Sequence, residues 1–189
     1  MISEGTTGYS LWDASVVLLA SLNSSNNFIK HLLHGKSVLE LGSGTGLGGL
    51  AVAACSNPSR VLLTDIAPVH DTFTKPNIIR NNSKDNIGSE IIYWNDLVAD
   101  PDSFSSKFNV ILGCDLVYDP DVVVMLLDAL KALFLSSTSS RITDAILFCT
   151  LRNPKTFDDF LTALRHEPNF HVSIHDNRNR IPSSVERQF

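Results

Sequence analysis

The stretch Ser37-Val38-Leu39-Glu40-Leu41-Gly42-Ser43-Gly44-Thr45-Gly46-Leu47-Gly48 decides how this chain folds. Its first five residues are rich in apolar side chains and alternate little, the pattern of a parallel strand covered on both faces. Gly42, Gly44 and Gly46 follow at once. Without a Cβ they let the backbone turn sharply and approach a ligand closely. Leu47 to Cys55 then reads as a helix whose free N–H groups point back at the turn. This is the layout of a cofactor loop.

Two cofactors compete for it. A nicotinamide or flavin site wants G-x-G-x-x-G directly after the strand, with helix N-terminal amides on a pyrophosphate. Counted from Gly42, the third glycine falls on Leu47, and the match one step later (Gly44, Gly46, Gly49) begins too far from the strand. The other pattern is E-x-G-x-G-x-G, Glu40 to Gly46, which resembles the first motif of S-adenosylmethionine (SAM) methyltransferases. An acid at the strand end suits a cationic amino-acid moiety, whereas the same acid facing a pyrophosphate would be repelled. SAM therefore fits better, with Glu40, Gly42, Ser43, Gly44 and Gly46 as its loop. A glycine turn that merely links strand to helix is the bland alternative.

Composition sets outer bounds. The 189 residues suit one domain with a sizeable core, expected over 1–175, followed by a polar, disordered tail over 176–189. Hydrophobic content of 43% and charged content of 19% are ordinary for a globular chain. A net charge of −5 without a long basic run argues against direct nucleic-acid binding. Cys55, Cys114 and Cys149 stand far apart in apolar stretches and read as reduced core residues. No secretory signal and no membrane-spanning run is visible, so an intracellular, cytoplasmic or nuclear protein is expected. The six histidines show no helical metal-ligand pair and no G-x-S-x-G elbow occurs, so no metal or serine-hydrolase site is expected.

Outward from the loop, Leu11 to Leu22 has helical spacing, with Trp12 in its first turn as a core anchor or a cover over the cofactor. Arg60 to Asp65 reads as a second strand ending in an acid, 19 residues after Gly46. A carboxylate at that distance can accept both hydrogen bonds of a ribose diol, although an isolated Asp there is often a helix cap. Val69 to Asn82 is expected to be a helix kinked or shortened by Pro76. Ser89 to Tyr93 reads as a third strand; Trp94 beyond it could stack on an adenine and Asn95 or Asp96 bind its edge, or serve as packing residue and cap. Pro101 to Lys107 looks like a loop. Phe108 to Cys114 is a fourth, buried strand that delivers Asp115-Leu116-Val117-Tyr118-Asp119-Pro120 to the edge where open α/β sheets bind ligands. Helices over 121–135 and 154–165 flank a fifth strand, Asp144 to Cys149, and Phe170 to His175 could add a sixth. Alternating strands and helices predict a doubly wound, mostly parallel, Rossmann-like α/β sheet of unknown strand order, with its last strand missing.

These residues resemble the seven-strand protein-lysine methyltransferases of methyltransferase family 16. The marks are Gly8 to Trp12, Val38 to Leu47 and the D-x-x-Y box Asp115 to Tyr118. Within the family the chain looks most like the branch that methylates a lysine of translation elongation factor 2, through Gly5-Thr6-Thr7-Gly8, Leu11 to Ala14 and Thr150 to Thr156. The resemblance implies that Trp12, Glu40, Gly42, Gly44, Asp65, Trp94 and Asp115 hold SAM, and that Asp115 and Tyr118 are the catalytic residues facing the substrate lysine. It implies a monomer that takes elongation factor 2 as protein substrate. Lysine must shed a proton before it attacks, its free pKa being about 10.4. Whether Asp115 or solvent takes that proton stays open. That branch carries an extra N-terminal region, and this chain is expected to start at its threshold. Methylation of another protein at lysine, arginine or histidine, or a non-catalytic SAM-fold binding module, remain alternatives.

Overall fold

In the computed structural model, which describes residues 7–24, 28–81, 85–136 and 141–176, five strands form one sheet: β1 (Ser37–Leu41), β2 (Arg60–Asp65), β3 (Ile87–Ile91), β4 (Val110–Cys114) and β5 (Asp144–Phe148). Every pairing is parallel and the order is β3-β2-β1-β4-β5. The expected doubly wound sheet is present. Order reverses at β1, which lies between β2 and β4, and a cleft opens beyond the strand ends at such a point.

Helices cover both faces. α1 (Asp13–Leu22), α2 (Phe28–Leu33) and α3 (Leu47–Cys55) belong to one side. After β2 come α4 (Ala67–Val69), a π turn (His70–Thr74) and α5 (Lys75–Arg80). α6 (Trp94–Ala99), α7 (Asp102–Ser105), α8 (Pro120–Leu135) and α9 (Pro154–His166) follow, and α6, α8 and α9 contribute to the other side's core. The pleat sorts side chains between the layers. Val38, Val61, Leu63, Val110 and Leu112 join the core beneath α1 and α3; Leu39, Leu41, Leu62 and Ile111 join the one beneath α8. Period two thereby sends Glu40, like Val38, toward α3.

Several expectations need correction. β3 starts and ends two residues earlier than expected, and Trp94 is the first residue of α6. The expected loop at 101–107 contains α7. The helix around Pro76 is widened: the Lys75 N–H bonds the His70 carbonyl, five residues back, one position ahead of the proline that lacks an N–H. Phe170 to His175 forms no strand. Phe170 packs edge-on against Phe134, ring centroids 5.2 Å apart, and Val172 joins the same core, so helix contacts replace sheet pairing. The tail beyond 176, and Glu4 to Thr6 of the N-terminal mark, lie outside the described residues.

Candidate active site

The loop after β1 has a left-handed backbone at Gly42 (φ +56°), Gly44 (φ +55°) and Gly46 (φ +83°), a region costly for most side chains. It is tied down on several sides. Gly44 donates its N–H to Asp65 Oδ2 at 2.7 Å. Thr74 Oγ1 donates to the Gly44 carbonyl and Asn77 Nδ2 to that of Thr45, each at 2.8 Å. Ser43 Oγ accepts from the Thr64 N–H at 3.0 Å, and Thr64 Oγ1 donates to the Glu40 carbonyl at 2.6 Å. Thr74 and Asn77, from the π turn and α5, escaped sequence reasoning because only the widened helix brings them to the loop.

Beside this loop lies a cavity of about 590 Å³ at the C-terminal edge of the sheet. It gathers Trp12, Gly42, Ser43, Gly44, Asp65, Trp94, Asp115 and Tyr118 from the residues singled out by sequence. Glu40 and Gly46 do not line it. The Glu40 carboxylate is 1% exposed beneath α3 and accepts from the Gly49 N–H at 3.1 Å. Burial pushes its carboxyl up from 4.5 to about 8, against the lowering effect of hydrogen bonds from Ser43 and Gly49. Through its bond to Gly49 it braces β1 against α3.

Asp65 sits at the rim. Its Oδ1 accepts from Ile66 N–H at 2.8 Å while Oδ2 holds Gly44. Burial raises its carboxyl, opposed by those two hydrogen bonds. Trp94 and Asn95 line the cavity, whereas Asp96 turns back to cap α6, accepting from the Tyr93 N–H at 3.0 Å. Asp119 caps α8, accepting from Asp121 N–H at 2.9 Å. Cys114 also lines the cavity, but burial pushes its thiol well up and that of Cys149 to about 12, which removes both as thiolate nucleophiles.

Asp115, which also lines the cavity, is 8% exposed. Its Oδ1 accepts from Thr150 N–H at 2.6 Å; Oδ2 accepts from Thr150 Oγ1 at 3.0 Å, Arg152 Nη2 at 3.1 Å and Ala14 N–H at 3.3 Å. Tyr118 Oη lies 3.5 Å from Thr7 Oγ1, and Trp12 Nε1 donates to the Thr7 carbonyl at 2.7 Å.

Compared with known proteins, residues 2–167 match the lysine methyltransferase family, Methyltransf_16. The chain belongs to that family. Among curated relatives it is 27% identical over 202 residues to the protein-lysine N-methyltransferase EEF2KMT of Bos taurus, covering 94% of this chain and 58% of the relative. It is 32% identical over 174 residues to the protein N-lysine methyltransferase METTL21A of Danio rerio, covering 90% and 73%. The chain thus spans under three-fifths of the first of these. A solved structure, the precorrin-6y C5,15-methyltransferase of Geobacter metallireducens, superposes with a TM-score of 0.54 at 13% identity, covering 81% of this chain and 69% of that one, a likeness of fold. The glycine loop and the stretch Asp115 to Tyr118 face one cavity. No helix among the described residues is long and apolar enough to cross a membrane.

Proposed function

We propose that this chain is a SAM-dependent protein-lysine N-methyltransferase acting on a lysine of translation elongation factor 2. The observation that carries the reading is the shared cavity, lined by the glycine loop, Asp65, Asp115 and Tyr118 together. The residues present fit the cofactor. A Cβ at Gly42 would meet Leu116 Cδ2 at 2.7 Å on a backbone of φ +56°, so the turn beside the Trp94 ring is built for glycine. Asp65 offers the carboxylate a ribose diol requires, Trp94 a ring for the adenine and Asn95 a polar edge. Trp12 closes the cavity from the N-terminal side.

When bound, SAM supplies a sulfonium methyl group that passes to the amine nitrogen while the electron pair of the broken S–C bond stays on sulfur. The chain supplies alignment, and alignment is worth several orders of magnitude in rate. Tyr118 walls the lysine side. Asp115 accepts four hydrogen bonds, one at Oδ1 and three at Oδ2, which hold it in place on the substrate side, and the amine's proton leaves to water. The elongation factor 2 assignment draws on the likeness to EEF2KMT. The likeness to METTL21A supports a second reading, a lysine of another protein.

Tritiated methyl transfer into purified elongation factor 2, with the product mapped by mass spectrometry, tests this. Label on one lysine is expected. Label confined to other proteins would overturn the substrate, and SAM binding without label in any protein would favour a non-catalytic binding module.

A further inference from the structure

Arg152 lies in the stretch Thr150 to Thr156, to which the reading above gives no task. Yet Thr150 and Arg152 both turn to Asp115, 35 and 37 residues away in sequence. Asp115 has φ +57°, a left-handed backbone that few side chains adopt and that persists only where its surroundings over-determine it. Three of its four donors are backbone N–H groups or a short hydroxyl on the segments beside it. The fourth is the guanidinium of Arg152, whose central carbon stands 4.2 Å from the centre of the Trp12 ring. Its Nη2 is also 4.0 Å from Asp13 Oδ2.

Asp115 and Trp12 line the cavity and Arg152 does not. It grips both from behind. A planar guanidinium can hydrogen-bond a carboxylate in its plane and stack on an indole through its face, which an ammonium cannot do. Trp12 is tied in turn to Thr7, and Thr7 reaches Tyr118. The N-terminal segment, the end of β4 and the loop after β5 therefore close into one ring around the substrate side. We propose that Arg152 is a positioning residue, locking the Asp115 carboxylate against the Trp12 indole and so setting the wall along which the substrate amine is aligned. The proposal rests on the methyltransferase reading of this cavity.

Full chains carrying Arg152→Met and Arg152→Lys test it in two ways. Steady-state methyl transfer should show kcat reduced roughly 10- to 100-fold in Arg152→Met, with KM for SAM changed by less than about two-fold and Arg152→Lys between. Separately, with no cofactor or substrate present, the indole N–H resonance of Trp12 should move in Arg152→Met while that of Trp94 stays; the chain's two tryptophans are told apart by Trp94→Phe. An unmoved Trp12 resonance, or a moved one with kcat unchanged, would overturn the proposal. If Arg152→Met fails to fold, Arg152→Lys carries the same two readings. Where the wild-type chain labels no protein, it is the proposed function that fails, and the indole resonance still decides whether Arg152 holds Trp12.

Discussion

The Gly44 N–H meets Asp65 Oδ2 at 2.7 Å, so the carboxylate proposed to hold a ribose also fixes the glycine loop. Two functions on one side chain make its loss costly. Asp65→Ala should weaken SAM binding by roughly 10- to 100-fold, the range for losing a hydrogen bond to a charged group. Asp65→Asn, which keeps an acceptor for Gly44, should lose less. Calorimetric titration of both variants checks the order; equal losses would mean that the carboxylate's charge alone matters.

Glu40 gives the chain a pH-dependent stability. Its carboxyl lies at about 8 in the folded chain against 4.5 for the free group, so between these values the folded state holds a proton that the unfolded state has released. This contribution is complete below the lower value and is lost as pH rises through the upper one, so unfolding free energy falls across that window. Glu40→Gln, neutral at every pH, should flatten the fall. Parallel curves of Tm against pH for the two proteins would contradict it.

Gly48 has no room for a side chain. A Cβ there would collide with a Glu40 carboxylate oxygen and lie 3.2 Å from Cys114 Sγ. Alanine gains about 1 kcal/mol of helix propensity, but overpacking at a filled site costs about 1–3 kcal/mol. Gly48→Ala should therefore be neutral to destabilising, by up to about 2 kcal/mol, or roughly 4–8 °C in Tm for a chain of this size. A raised Tm would show that Glu40 can swing away freely.

Asp115→Ala should abolish methyl transfer and also destabilise the fold, because it leaves Thr150, Arg152 and Ala14 with unpaired donors. Arg152 remains partly solvated, so the cost should be about 1–3 kcal/mol. SAM affinity should change far less than transfer does. Full activity in this variant, measured beside a denaturant melt, would remove Asp115 from the site.

The glycine loop was legible because three glycines after a short apolar strand leave few alternatives, and the left-handed backbone found there is what they permit. Asp65 and the D-x-x-Y box were legible as strand ends, since strand ends collect at one edge of such a sheet. Glu40 was misleading. Its place in the motif suggested a cavity-facing charge, but strand pleating turns it under α3, where burial neutralises it. The grip of Arg152 on Asp115 was invisible because it depends on β5 lying beside β4, a neighbour relation that only the fold reveals. Phe170 to His175 has the apolar spacing of a strand, but spacing does not choose between pairing with β5 and packing on α8; Phe134 won.

The most direct test of the account is calorimetric titration of the chain with SAM and, separately, with NAD. Saturable binding of SAM at one site, weakened by Asp65→Ala, with no heat from NAD, is the result predicted. Binding of NAD in preference to SAM, or of neither, would contradict the assignment of the cavity and with it the methyltransferase reading.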